Sequence, residues 1–203
     1  MKLYFTPRTR ATRARWLLEE LEVPYELVRL DPAKQENRTP AYLALQPFGE
    51  VPALVDGGVT LFEPSAICLY LTDRFPEKQL APQPGSVERG DYYQWLLFAE
   101  GSLEAEVKAF HRHAPLPDDE KASARVQEEL ASHRARLNDM LRVVEAGLGG
   151  GFLAGGRFST ADLVMASILH LANTLHLLDG HPRLVEYVLR HTRRPALRKA
   201  LAA

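Results

Sequence analysis

The sequence predicts a protein of two parts, an α/β first half followed by an all-helical second half. Short alternating or apolar runs, typical of strands, occur before residue 63, whereas long runs with helical spacing of apolar residues fill the chain from residue 87 onward. A segment rich in proline and turn-forming residues, 79–86, separates the two patterns and indicates a linker. The predicted domains are therefore residues 1–78 and 87–203.

The first half has the pattern βαβαββα. Its elements are predicted as strands over 3–5, 25–30, 51–55 and 59–62, with helices over 12–21 and 64–73 and a polar stretch over 31–39 in the region of the second helix. Asp56, Gly57 and Gly58 predict a hairpin turn between the last two strands. Pro64 suits the first position of the following helix.

The second half consists of helical periods only. They are predicted over 87–113, 118–146, 160–178 and 182–191, with a short helix after Pro195. Ser159 and Asp162 predict a capping box at the start of the third of these helices, with aspartate in place of the usual glutamate. This motif has a folding role and no chemistry.

Composition excludes several classes of function. A formal net charge of −1 disfavours a nucleic-acid partner, and no apolar run approaches the ~20 residues that a membrane-spanning helix needs. The start of the chain lacks the pattern of a signal peptide, so a cytoplasmic location is expected. The single cysteine, Cys68, rules out an internal disulfide and a thiolate-rich metal cluster, and no histidine spacing predicts a metal site.

The segment from Gln46 to Leu54 is the most informative part of the chain. Pro47 and Gly49 predict a turn, and Pro52 cannot donate a ladder hydrogen bond, so the following strand lies at an edge or is interrupted. We predict a cis Val51–Pro52 bond that presents the Val51 N–H and C=O to a peptide-like ligand.

This segment, Pro47-Phe48-Gly49-Glu50-Val51-Pro52, and the later Glu63-Pro64-Ser65-Ala66-Ile67 resemble motifs of the cytosolic glutathione transferase family. The opening run from Pro7 to Arg13 is similar to that of the phi-like class, with a threonine where that class has its reactive serine. The resemblance covers the whole chain and suggests a bacterial member with a phi-like N-terminal motif. It implies a thioredoxin-like N-terminal domain, an all-helical C-terminal domain and a homodimer.

The resemblance implies that glutathione is the co-substrate, without a further cofactor, and that its thiol is activated as thiolate. The phi-like match places the activating hydroxyl at Thr9, and the neighbouring Arg10 is an alternative source of thiolate stabilisation. The plain alternatives are that Thr9 caps the first helix and that Arg10 belongs to a solvated basic face. Sequence alone leaves both open.

The tripeptide also needs partners for its charged groups. The resemblance implies that the Val51–Pro52 backbone binds the cysteinyl residue and that Glu63 accepts the γ-glutamyl ammonium. Pro64 stands where the family usually has a carboxylate-binding serine, so we expect Ser65 to take that role at the same helix N-terminus. Arg38 aligns with a residue that contacts the glycyl carboxylate, or is simply a solvated arginine, and Glu50 would repel that carboxylate.

The electrophile is expected against the first helix of the second domain, where an apolar face includes Leu103, Val107 and Phe110. The favoured function is a glutathione transferase that attacks a hydrophobic electrophile. A non-catalytic binding or regulatory protein is the alternative from another class. Isomerisation or peroxide reduction with the same thiolate remains a third possibility.

Overall fold

The structure, a computed structural model, describes residues 1–121 and 123–202. These residues form two compact units. The first comprises residues 1–81 together with the C-terminal segment from residue 193, and the second comprises residues 82–192. The predicted second domain, 87–203, differs from the observed unit because its last segment packs in the first unit.

The first unit contains a four-stranded mixed sheet with the order β2-β1-β3-β4. β1 pairs with β2 in parallel and with β3 antiparallel, and β3 pairs antiparallel with β4. The elements are β1 (Lys2–Phe5), α1 (Ala11–Leu21), β2 (Glu26–Arg29), α2 (Pro40–Leu43), β3 (Ala53–Asp56), β4 (Val59–Phe62) and α3 (Pro64–Arg74). The predicted βαβαββα order is confirmed.

The alternation of side chains in β1 divides the core of this unit between two faces of the sheet. Leu3 and Phe5 are buried with the apolar stripe of α1 and with α3. Tyr4, on the opposite face, packs against Tyr42 of α2 with ring centroids 5.4 Å apart. The core therefore holds α1 and α3 on one face of the sheet and α2 on the other.

The C-terminal helix α10 (Pro195–Leu201) packs against α1. Arg194, just before this helix, donates two hydrogen bonds to the Glu20 carboxylate at 2.6 and 2.7 Å. Arg15 donates to the Lys199 carbonyl at 3.2 Å. Bidentate arginine–carboxylate pairs are geometrically specific, so this contact attaches the end of the described chain to α1.

The second unit is helical throughout its long elements. Its helices are α4 (Val87–Phe98), α5 (Glu104–His113), α6 (Asp118–Lys121), α7 (Ala124–Gly147), α8 (Thr160–Thr174) and α9 (Pro182–Thr192). A π-helical turn, Ala99–Leu103, joins α4 to α5, so the predicted helix over 87–113 is interrupted at that point. The all-helical second half is confirmed in architecture.

Helix α8 begins as predicted and ends earlier than predicted. Ser159 and Asp162 form the expected capping box. The helix stops at Thr174 because His176 adopts a positive φ of 55° and the Leu177 N–H turns back to the Ala172 carbonyl at 2.9 Å. Leu177 remains buried after the helix has ended, which explains why the apolar pattern continued past it.

Among the described residues, none of the helices combines the length and the apolar character needed to cross a membrane.

Candidate active site

Strand register brings three separate segments to one end of the sheet. Tyr4 pairs with Ala53, and Ala53 in turn pairs with Phe62. Three strand ends therefore meet at this end of the sheet, namely the carboxyl end of β1, the amino end of β3 and the carboxyl end of β4. The residues that follow or precede these ends are Thr6–Arg10, Gln46–Pro52 and Glu63–Ser65, which include most of the predicted site residues.

The Val51–Pro52 bond is cis, as predicted. Pro52 is buried and Val51 is half-buried. The β1–β3 ladder ends at Ala53, so Val51 lies beyond it. β3 lies between β1 and β4, so the predicted alternative of an edge strand is wrong, and the ladder is instead interrupted before Ala53 because Pro52 cannot donate a hydrogen bond. We predict that an extended ligand pairs with the Val51 backbone at this interruption.

Thr9 lies in the loop between β1 and α1. Its hydroxyl donates to the Thr6 carbonyl at 2.7 Å and accepts from the Ala11 N–H at 3.3 Å. The Thr9 carbonyl accepts from the Thr12 N–H at 3.1 Å. Thr9 thus supports the start of α1 in the ligand-free chain, and its hydroxyl must rotate away from Thr6 to donate to a sulfur atom.

Arg10 is at the N-cap position of α1, next to Thr9. Its Nη2 lies 3.4 Å from Oε2 of Glu50, and the two side chains are 32% and 59% exposed. A pair this accessible to solvent is weak. Arg10 is therefore directed towards the loop before β3 and is free to exchange partners.

Glu63 has an unusual backbone conformation, with φ 70° and ψ 119°. Non-glycine residues held in such regions cost about 1–3 kcal/mol and concentrate at functional sites. Glu63 is exposed, precedes α3, and accepts the Ile67 N–H at its carbonyl at 3.0 Å. Its carboxylate makes no capping hydrogen bond to the helix, which leaves it available to a ligand ammonium.

Ser65 occupies the first turn of α3, directly after Pro64. The residue is only 3% exposed, and within the described chain its hydroxyl has no hydrogen-bond partner. A buried hydroxyl without a partner is disfavoured by about 1–3 kcal/mol. The first N–H groups of a helix also lack partners within the helix, so this position has hydrogen-bond donors of the kind that suit an anionic group.

Arg38 lies at the end of a 3₁₀ turn, Glu36–Arg38, and is exposed. Its side chain folds over Gly49, since a Cβ placed on Gly49 would lie 3.0 Å from the Arg38 Cδ and Cζ atoms. Gly49 also has a φ of 64°, which favours glycine. The arginine is therefore held near the loop that precedes Val51.

Sequence reasoning missed the residues that shape this loop. Buried Gln46 accepts from the N–H groups of Phe48 and Glu50 at 2.8 and 3.0 Å. Tyr42 donates its hydroxyl to the Glu50 carbonyl, and burial raises the pKa of Tyr42 well above its usual range, so it remains a donor. No local spacing identifies these residues, because they act through the folded loop.

The residues predicted to contact the electrophile differ in exposure. Leu103 and Val107 are fully buried. Phe110 is half-buried, and the Arg134 guanidinium lies 4.5 Å from its ring centroid. Of the three, Phe110 is the residue with surface available to a small molecule.

Within residues 1–121 and 123–202, histidine, cysteine and acidic side chains form no cluster of three that could hold a metal ion. Cys68 is fully buried in α3, consistent with a packing role.

Comparison with known domain families matches residues 1–73 to the glutathione S-transferase N-terminal domain and residues 123–190 to the glutathione S-transferase C-terminal domain. Glutathione S-transferase F10 of Arabidopsis thaliana is 36% identical over 174 residues, which cover 82% of this chain and 75% of that protein. Glutathione S-transferase GstA of Escherichia coli O157:H7 is 29% identical over 206 residues, covering 100% of this chain and 98% of that protein.

Solved structures agree with the sequence comparisons. BphK, described as a bacterial GST, was solved as a ternary complex and is 32% identical with a TM-score of 0.82, over 99% of this chain and 98% of that one. A sphingomonad glutathione S-transferase complexed with glutathione is 28% identical with a TM-score of 0.81, over 99% of this chain and 97% of that one.

Proposed function

The chain belongs to the cytosolic glutathione transferase family, and we propose that it activates the thiol of glutathione for attack on a hydrophobic electrophile. The observation that carries this proposal is that the segments containing Thr9, Val51 and Ser65 meet at one end of the sheet. This end of the sheet offers a helix start for a thiolate, an extended backbone for a peptide, and, for a carboxylate, a buried hydroxyl without a partner in the described part of the chain.

Glutathione fits these groups in one direction. Its cysteinyl residue pairs with the Val51 backbone, and its γ-glutamyl end lies at the start of α3. There Glu63 accepts the ammonium, while the Ser65 hydroxyl and N–H bind the carboxylate. Pro64 supplies neither donor. The buried Ser65 hydroxyl, which has no partner among the residues that the structure describes, supports the shift of this role by one residue. The glycyl carboxylate lies towards Arg38.

The main chemical requirement is to favour the thiolate at neutral pH. A free cysteine thiol has a pKa of about 8.5, and lowering it by ~2 units takes ~2.7 kcal/mol of preferential thiolate stabilisation. The positive end of the α1 dipole supplies part of this. Thr9 supplies a hydrogen bond when its hydroxyl turns from Thr6, and Arg10 adds charge when it leaves Glu50.

In the reaction the thiol first loses its proton to solvent. The thiolate sulfur then donates its electron pair to the electrophilic carbon and forms the new C–S bond. The leaving group departs with the electrons of the bond it made to that carbon. The protein lowers the barrier by holding sulfur in its anionic form at a fixed position.

A homodimer is part of this proposal. Phe48 is 60% exposed and stacks edge-on against Phe62, itself 37% exposed, with ring centroids 6.1 Å apart. Aromatic residues are enriched at protein–protein interfaces relative to the rest of the surface, so this exposed pair is the contact surface that we propose. The proposed occupant is a second copy of the chain, and the molar mass in solution at micromolar concentration tests it.

A binding protein without catalysis is the second candidate, because the two activating groups are already engaged. Thr9 donates to Thr6 and Arg10 pairs with Glu50. If neither contact yields to the ligand, glutathione would bind as a neutral thiol.

Calorimetric titration with glutathione between pH 6 and 8, with ultraviolet thiolate absorbance on the same samples, separates the two candidates. The transferase predicts binding with a thiolate signal at neutral pH, and the binding protein predicts binding without one. The variant Thr9→Ala should lose thiolate and keep most of its affinity. Thr12→Ala, which removes a neighbouring hydroxyl in α1, is the matched control. Unchanged thiolate in Thr9→Ala would assign activation to Arg10 or the helix terminus.

A further inference from the structure

In the loop before β3, hydrogen bonds hold the backbone on both sides of the Glu50 Cα. The Glu50 N–H donates to Gln46 Oε1 at 3.0 Å, and its carbonyl accepts from the Tyr42 hydroxyl. The preceding carbonyl, of Gly49, accepts from Asn37 Nδ2 at 2.6 Å. These three bonds fix the peptide units on either side of Glu50. The direction in which its side chain leaves the loop is therefore set by the fold.

One cation lies beside this carboxylate, and a second lies beside the preceding residue. Arg10 Nη2 is 3.4 Å from Glu50 Oε2, and Arg38 covers the adjoining residue Gly49. They are the two arginines predicted to serve the anionic groups of the thiol ligand. Arg10 serves the thiol, which every ligand of this class carries, so its weak pairing with Glu50 does not distinguish one ligand from another.

The pairing at Val51 places the ligand relative to Glu50. A ligand whose γ-glutamyl end lies at Ser65 runs antiparallel to the chain at Val51–Pro52. In antiparallel pairing the residue after the ligand's cysteine stands opposite the residue before Val51, which is Glu50. Directly opposed residues of an antiparallel pair have Cα atoms about 4.5–5.5 Å apart. The carboxylate of a C-terminal glycine is attached to such a Cα, so it lies within reach of the Glu50 side chain, and the two like charges repel each other.

We propose that Glu50 determines specificity for the C-terminal end of the thiol-bearing peptide. The preferred substrates are γ-glutamyl peptide thiols whose C-terminal carboxylate is neutralised. Amides, esters and conjugates to an amine belong to this class. The inference rests on the proposed function. It adds that the preferred peptide thiol carries no negative charge at its C-terminal end.

The test compares two ligands that differ in one charge. Glutathione and its glycyl monoethyl ester are titrated calorimetrically into the wild type, Glu50→Gln and Glu26→Gln. Glu26 is a suitable control because it is also an exposed glutamate, 57% accessible, and pairs with Lys2 at 3.0 Å in the same sheet. Urea unfolding of each variant verifies that it is folded.

Glu50→Gln should bind glutathione about threefold more tightly than the wild type, the size of one opposed like-charge pair, with the affinity for the ester unchanged. The gain should shrink at high salt because the groups are exposed. Glu50→Lys should bind glutathione more tightly still than Glu50→Gln. Glu26→Gln should leave the affinities for glutathione and for its ester unchanged.

Equal tightening of both ligands would overturn the inference, because Glu50 would then act through Arg10 or the loop. Unchanged affinity for both ligands in Glu50→Gln and Glu50→Lys would overturn it as well. Failure of the wild type and the variants to bind either ligand would overturn the proposed function, and the inference with it.

Discussion

Two helix starts in this protein, those of α3 and α8, use a serine in opposite ways. At α8 the Asp162 carboxylate accepts from the Leu153 N–H, the Ser159 N–H, the Ser159 hydroxyl and the Tyr187 hydroxyl at 2.9–3.0 Å. The Ser159 hydroxyl in turn accepts from the Asp162 N–H in the capping box. The buried polar groups at this start are bonded within the protein.

At α3 the corresponding groups are left open. Ser65 is buried without a partner for its hydroxyl among the described residues, and Glu63 stands before the helix in a strained conformation with no capping bond. The contrast shows how one structural element serves stability or binding. A helix start whose donors are satisfied stabilises the fold, whereas one whose donors are free retains affinity for an anion at a cost in stability.

The largest expected effect is the loss of stability on Asp162→Ala. Removing the carboxylate leaves the buried N–H groups of Leu153 and Ser159 without acceptors, each at about 1–3 kcal/mol. The free energy of unfolding in urea should fall by about 3 kcal/mol or more, with the glutathione affinity of the folded protein unchanged. Asp139→Ala, at an exposed aspartate of α7, is the control. A loss below about 1 kcal/mol would mean that α8 does not depend on its capping box.

Glu63→Gly should separate binding from strain. Glycine accepts a positive φ without penalty, so the free energy of unfolding should rise by about 1 kcal/mol. Loss of the carboxylate should weaken glutathione binding by at least about tenfold, the scale of a charge-assisted hydrogen bond. The companion variant Glu63→Gln keeps the side-chain shape and should lose affinity without gaining stability. Retained affinity in both variants would show that the ammonium binds elsewhere.

Ser65→Ala and Ser159→Ala should have opposite effects. Ser65→Ala should weaken glutathione binding by about tenfold, or about 1.4 kcal/mol. It should not lower the free energy of unfolding, because the Ser65 hydroxyl has no partner to lose within residues 1–121 and 123–202. Ser159→Ala should lower the free energy of unfolding by about 1 kcal/mol and leave affinity unchanged. Calorimetry and urea unfolding on both proteins decide this. If both variants lose affinity, or both lose stability, to the same extent, then the serines at the starts of α3 and α8 do not have different roles.

The smallest expected effect is on the pH dependence of stability. Burial raises the pKa of Asp162 above its ordinary value of 3.8. The folded state therefore binds the proton more tightly than the unfolded state, so the contribution of Asp162 is fully present below pH 3.8 and is lost as pH rises through the folded pKa. The stability of the wild type relative to Asp162→Asn should fall from pH 4 upward, by at most about 1.4 kcal/mol per pH unit. If the relative stability instead rises over this range, the pKa of Asp162 is lowered on folding and not raised.

The sequence by itself determined the local elements of this protein. Strand β4 and the start of α3 follow from residue alternation, the Asp56–Gly58 turn and Pro64, and the capping box at Ser159 was visible in its spacing. The residues around Val51–Pro52 also predict its cis bond, which the structure contains. Such features depend on residues a few positions apart, whose preferences act within one turn or one strand.

Only the tertiary structure decided which distant residues meet. Arg10 and Glu50 are 40 positions apart, and Glu20 and Arg194 are 174 apart. Both contacts require the sheet register and helix packing to be complete, which no local pattern encodes. The same holds for the burial of the Ser65 hydroxyl, since its exposure depends on everything packed around α3. Sequence named the chemical groups of the site, and packing decided which of them are bonded within the protein and which are free for a ligand.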